Sequence, residues 1–123
     1  MLTKPGITTI VLYVRDLDRS RDFYETSLGL ETTLRGEGDE RFMMTQAGQT
    51  TLIFFESETP KPPVPVFELP DGGIENVVAR LAEARVQIVT PVSHAPGGWT
   101  ADFQDPDGHV LSLYQSADQP KAK

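Results

Sequence analysis

Few side chains in this sequence can do covalent or metal chemistry. Cysteine is absent, which excludes thiol nucleophiles, thiolate zinc sites and disulfides. The two histidines, His94 and His109, have no carboxylate partner at a ligand-like spacing and make a weak metal signal. His109 reads as a solvent-facing turn residue, and His94 as a loop residue able to overhang a cleft. Ser112 follows the turn Asp105-Pro106-Asp107-Gly108. No histidine base is tied to it and no nucleophile-elbow pattern surrounds it. Two readings stay open: a polar contact to a ligand, or a small side chain that keeps a cleft open. Tyr13 and Tyr114 carry hydroxyls that need partners if buried. Trp99, after Gly97-Gly98, reads as ligand stacking or as rim packing. Glu68 reads as an inward carboxylate or an exposed strand end.

The elements that must position these residues recur. Ile7 to Val14 is β-branched and predicts a strand, with Thr9, Val11 and Tyr13 on one face and Ile10, Leu12 and Val14 on the other. Asp16 or Asp18 caps a helix running to about Ser27, with Leu17, Phe23, Tyr24 and Leu28 on its buried side and Gly29 as its left-handed stop. Strands are expected near 31–35, 41–46 and 50–56. A run with prolines at 60, 62, 63 and 65 then reads as an extended linker.

The order repeats after it. A strand is expected over 64–69. A helix follows with Ile74, Val77, Val78 and Leu81 at i, i+3, i+4 and i+7, then strands over 86–92, 99–104 and 110–115. If Arg85, which ends that helix, is left-handed, a non-glycine residue there costs about 1 kcal/mol. The chain is thus α+β, with a βαβββ unit over 1–56, a linker over 57–63, a second βαβββ unit over 64–115 and a polar, frayed tail over 116–123. Each unit has one helix to cover one face of its strands. Two remaining faces set together would enclose a cleft suited to a small molecule.

The 123 residues include 11 basic and 18 acidic side chains, for a net charge of −7. That disfavours nucleic acid and anionic membranes as partners and favours a cationic ligand over an anionic one. No run reaches the roughly 18 apolar residues of a membrane span, and no secretory signal is visible. A cytoplasmic location is expected.

Val14-Arg15-Asp16-Leu17-Asp18-Arg19-Ser20, Phe23-Tyr24, Leu28-Gly29-Leu30, Phe67-Glu68-Leu69, Gly97-Gly98 and Asp105-Pro106-Asp107-Gly108 stand in order along the chain. In these pieces the sequence resembles the vicinal oxygen chelate superfamily of glyoxalases, bleomycin-resistance proteins and extradiol dioxygenases. The resemblance implies paired βαβββ units forming a cupped mixed sheet around a cleft, and a homodimer. It also implies that a metal-dependent member would carry ligands near Thr9, Phe54 and Val64 and at Ser112. None of the four is a carboxylate or imidazole, so no metal or other cofactor is expected. Stated as expectations, Thr9, Tyr13, Phe54, Val64, Glu68, Trp99, Ser112 and Tyr114 line a metal-free binding site for an aromatic or planar small molecule. The alternative is a divalent-metal lyase or dioxygenase with an atypical ligand set drawn from Glu56, Glu68, His94 and His109.

Overall fold

Strand β1, Ile7–Val14, opens the computed structural model, which describes Leu2 and residues 4–123. Helix α1 follows over Leu17–Asp22, capped where the Asp16 carboxylate accepts from the Arg19 backbone N–H at 3.1 Å. It does not stop there. It runs on as a wider turn over Phe23–Ser27, in which Leu28 N–H donates to the Phe23 carbonyl five residues back. β2 (Thr32–Arg35), β3 (Phe42–Ala47) and β4 (Thr50–Glu56) complete the first unit, Thr8–Val64. Its sheet runs β2-β3-β4-β1, with β1 parallel to β4 and the other pairs antiparallel.

The core of this unit lies between helix and sheet. Leu17, Met43 and Phe54 are fully buried, and Leu12, Val14, Tyr24, Leu34 and Leu52 pack against them. The Tyr24 and Phe54 rings stand 4.7 Å apart. Phe23 and Leu28, expected to share this face, are 50% and 55% exposed instead. The wide turn changes the angle between successive side chains, so an α-helical projection places them wrongly.

The second unit comprises Pro65–Lys123 together with the residues up to Ile7. It holds β5 (Val64–Glu68), α2 (Ile74–Glu83), β6 (Gln87–Ala95), β7 (Gly98–Gln104) and β8 (Val110–Ser116). The sheet order is β5-β8-β7-β6, with β5 parallel to β8. The predicted stripe of α2 packs as expected: Ile74 is fully buried, and Val77, Val78 and Leu81 meet the cluster of Leu69, Ala101 and Leu113. β6 runs further than expected, through Pro91 to Ala95. It tolerates a proline because it ends the order of its sheet and carries register shifts on either side of Thr90. Gly98 lets β7 approach β8 closely, since a Cβ there would lie 1.9 Å from the Gln115 carbonyl oxygen.

The tail over 116–123 is not frayed. Gly73 N–H donates to Pro120 O and Glu75 N–H to Lys121 O, so tail carbonyls satisfy the start of α2. Gly73 provides no side-chain cap. The Ile74 N–H is taken by the fully buried side chain of Gln115, whose Oε1 lies 2.9 Å away. Among the described residues no helix is long and apolar enough to cross a membrane.

Candidate functional site

In each unit the sheet has one face under its helix and one turned away from it. Directly paired residues on neighbouring strands share a face, so the registers assign every strand residue. In the first unit Arg35 pairs with Phe42, Phe42 with Phe55, and Phe55 with Tyr13. These four make one row across all four strands on the helix-free face. The ring centroids of Phe42 and Phe55 are 5.7 Å apart, and those of Phe55 and Tyr13 6.4 Å, both tilted. Such pairs add about 0.5–1.5 kcal/mol beyond burial. The Lys61 ammonium, from the proline-rich linker, sits 4.9 Å above the Tyr13 ring centroid.

A second row on the same face is Thr33, Met44, Ile53 and Val11, and a third is Gln46, Thr51 and Thr9. The rows therefore grade from aromatic through aliphatic to amide and hydroxyl. Thr51 Oγ1 donates to the Gln46 side-chain carbonyl at 2.8 Å. Toward the β2 edge lies a pocket of about 450 Å³, lined in part by Glu31, Thr33, Arg35, Met44, Gln46 and Thr51.

On the corresponding face of the second unit, Glu68, Tyr114, Thr100 and Ser93 make one row, and Val66, Ser112, Asp102 and Thr90 the next. Ser112 is 5% exposed. Its hydroxyl lies 3.0 Å from Thr100 Oγ1 and donates toward the Ala101 carbonyl at 3.2 Å, while Thr100 Oγ1 donates to the Leu113 carbonyl at 3.0 Å. It is held inside the sheet, not offered as a nucleophile. The Tyr114 hydroxyl donates to the Pro96 carbonyl at 3.0 Å. Burial raises the Tyr114 phenol above its usual range, and the charges of Glu68 and Asp118 push the same way.

The expected site residues divide between the two units. Thr9 and Tyr13 lie on the helix-free face of the first unit; Glu68, Ser112 and Tyr114 lie on that of the second. Phe54 does not line a site. It is 0% exposed in the core under the helix, and Phe55 is the phenylalanine that faces the other way. Val64 is also buried, but it precedes Val66 by two residues and so shares the face of Val66 and Glu68. Trp99 is not on the helix-free face. It packs against the core cluster under α2, with the His94 ring 4.1 Å from its own and the Lys121 ammonium 3.8 Å above it.

Phe42, Phe55, Ile53, Met44 and Arg35 on this face, and Lys61 over Tyr13, were not among the expected site residues. A sequence signal for the register existed. Leu52-Ile53-Phe54-Phe55-Glu56-Ser57 aligns with Leu111-Ser112-Leu113-Tyr114-Gln115-Ser116, and that alignment puts Phe54 with core Leu113 and Phe55 with Tyr114.

The atypical metal set does not assemble. Glu56 Oε2 accepts from the Leu17 backbone N–H at 2.9 Å, capping α1. His109 Nδ1 lies 2.8 Å from Asp105 Oδ2, within the turn. The Asp105 carboxyl is held below the usual carboxylate range, first by the His109 backbone N–H and then by the imidazole and the Asp107 N–H. His94 is stacked on Trp99. Among the described residues no three histidine or carboxylate side chains converge. These residues do not fit a divalent ion.

The model for the glyoxalase/bleomycin resistance protein/dioxygenase superfamily matches residues 6–113. The chain belongs to that superfamily. Its solved relatives include hypothetical protein BH1468 from Bacillus halodurans C-125, at 17% identity and TM-score 0.76 over 96% of this chain and 99% of that one. They also include methylmalonyl-CoA epimerase from Mycobacterium tuberculosis, at 17% identity and TM-score 0.73 over 98% and 95%. A superfamily member from Vibrio splendidus 12B01 is 21% identical, with TM-score 0.68 over 92% and 100%. No curated protein matches the sequence. Identities this low carry the glyoxalase-like fold alone, and the fold does not choose among the superfamily's activities.

Proposed function

We propose that this superfamily member binds a small aromatic or planar molecule on the helix-free face of its first unit, without a metal ion. One observation carries the reading: Phe42, Phe55 and Tyr13 stand in register across three strands. Apolar ring surface of this kind, half-buried at Phe55 and Tyr13 and backed by the buried Phe42, suits a ring held by stacking. The scatter of Glu56, Glu68, His94 and His109 supports the metal-free part of the reading. Pairing of two copies is part of the proposal; sedimentation showing only monomer at micromolar concentration removes it.

The test is a titration with 2-naphthalenemethanol followed by backbone amide shifts. The shifts are expected at Val11, Tyr13, Phe42, Ile53 and Phe55. Phe55→Ala weakens binding about three- to tenfold, the worth of one aromatic contact. Shifts confined to the second unit, or none with any fused-ring probe, overturn the reading. A stoichiometric divalent ion in protein purified without chelator overturns the metal-free part and restores the lyase or dioxygenase alternative.

A further inference from the structure

The aromatic row of the first unit ends in a cation. Arg35 stands opposite Phe42, at the point where the row meets the pocket toward β2. Its guanidinium is exposed and makes no ion pair or side-chain hydrogen bond among the described residues. Arg41 and Arg21, in contrast, are paired with Asp18 and Glu25. The acidic turn that follows, with Glu37, Asp39 and Glu40, sends no carboxylate within ion-pair distance of Arg35. Glu31 also lines the pocket, but it lies four residues back along the strand direction, about 13 Å away. At the other end of the row, the Lys61 ammonium stands over Tyr13.

The strands' own side chains put one charge on this row, and it is positive. The chain's net charge of −7 acts at long range and is screened within about 10 Å at ordinary ionic strength. Contact charge then decides which ligand is held.

Building on the reading above, we infer that the ligand is an aromatic anion, its ring on Phe55 and Tyr13 and its carboxylate, or an acid group of like geometry, on Arg35. A guanidinium offers paired N–H donors that match the two oxygens of a carboxylate. Arg35 is a specificity-determining residue, and this assignment replaces the cationic ligand expected from bulk charge.

Three probes of one ring system test it: 2-naphthoate, 2-naphthalenemethanol and 2-naphthylmethylammonium. Each is titrated into the full chain, with amide shifts reporting both affinity and place. The naphthoate is expected to bind about fivefold tighter than the alcohol, the upper range for an exposed ion pair, and the ammonium weakest. Arg35→Gln makes the naphthoate and the alcohol bind alike, and added salt narrows their difference in the unaltered chain. Equal affinities, with shifts still on the first unit's rows, overturn the inference and leave the aromatic-binding reading standing. The ammonium binding tightest also overturns it. A naphthoate advantage that survives Arg35→Gln overturns the assignment to Arg35. No shift with any of the three overturns both readings.

Discussion

Along one row of its helix-free face the first unit carries Arg35, Phe42, Phe55 and Tyr13. The corresponding row of the second unit carries Ser93, Thr100, Tyr114 and Glu68. Beneath these rows the two units are built alike. Each pairs its first strand parallel to its last. Each uses the residue after the row's last-strand aromatic to cap its helix: Glu56 accepts from Leu17 N–H and Gln115 from Ile74 N–H, both at 2.9 Å. Each buries the residue before that aromatic, Phe54 or Leu113, in its core. The repeated features hold the fold. The differing features are on the faces left free, where a ligand would be read.

The largest effect should come from separating adjacent residues on opposite faces. Phe54→Ala empties a fully buried site and should cost about 3–5 kcal/mol of stability. Phe55→Ala should cost far less stability while weakening aromatic ligands. Chemical denaturation beside the naphthyl titration checks both. If Phe55→Ala is the more destabilising of the two, the assignment of faces is wrong.

The capping pair comes next. Gln115 is fully buried, so Gln115→Ala leaves the Ile74 N–H without a partner at a cost of about 1–3 kcal/mol. Glu56 is more exposed, and α1 keeps its Asp16 cap. Glu56→Ala should therefore cost about 1 kcal/mol. Equal losses in thermal melts would mean that the tail carbonyls at α2 compensate as fully as Asp16 does at α1.

Much of this was legible in the residues. The βαβββ order, the stripe of α2 and the Asp105 to Gly108 turn follow from local chemistry: β-branching, helical spacing, and asparagine-like turn bonding by Asp105, which accepts from the Asp107 and His109 N–H groups. The site was less legible. In β4 the run Leu52-Ile53-Phe54-Phe55 is apolar on both faces, so alternation cannot tell Phe54 from Phe55. Trp99 was misplaced for a related reason. Its strand begins one residue earlier, at Gly98, and only pairing with Gln115 fixes its side. The tail's docking on α2 has no local signal. It arises because Gly73 cannot cap the helix, a need visible only once the fold brings Pro120 and Lys121 there.

Helix ends give a smaller contrast. α1 is followed by Gly29 at φ 74° and α2 by Arg85 at φ 65°. An arginine in the left-handed region costs about 1–2 kcal/mol, part of which a glycine returns as unfolded-state entropy. Arg85→Gly should raise stability by about 0.5 kcal/mol net, seen as a small increase in the denaturation midpoint. A decrease would mean that the Arg85 side chain contributes more than its backbone costs.

The smallest effect tests the two rows at their matching ring, Tyr114 against Phe55. Burial holds the Tyr114 phenol protonated beyond its usual range, with Glu68 and Asp118 adding to it. The folded value lies above the unfolded one, so this contribution to stability is complete below about pH 10 and is lost as pH rises through the folded value. It has no part in acid unfolding. Ultraviolet titration of tyrosinate should find a late phenol that is lost in Tyr114→Phe. Glu68→Gln should bring that phenol only part of the way down, because burial is the larger cause and the substitution leaves it in place. A complete return to the ordinary range would make Glu68 the dominant cause and the second unit's row chiefly an electrostatic one.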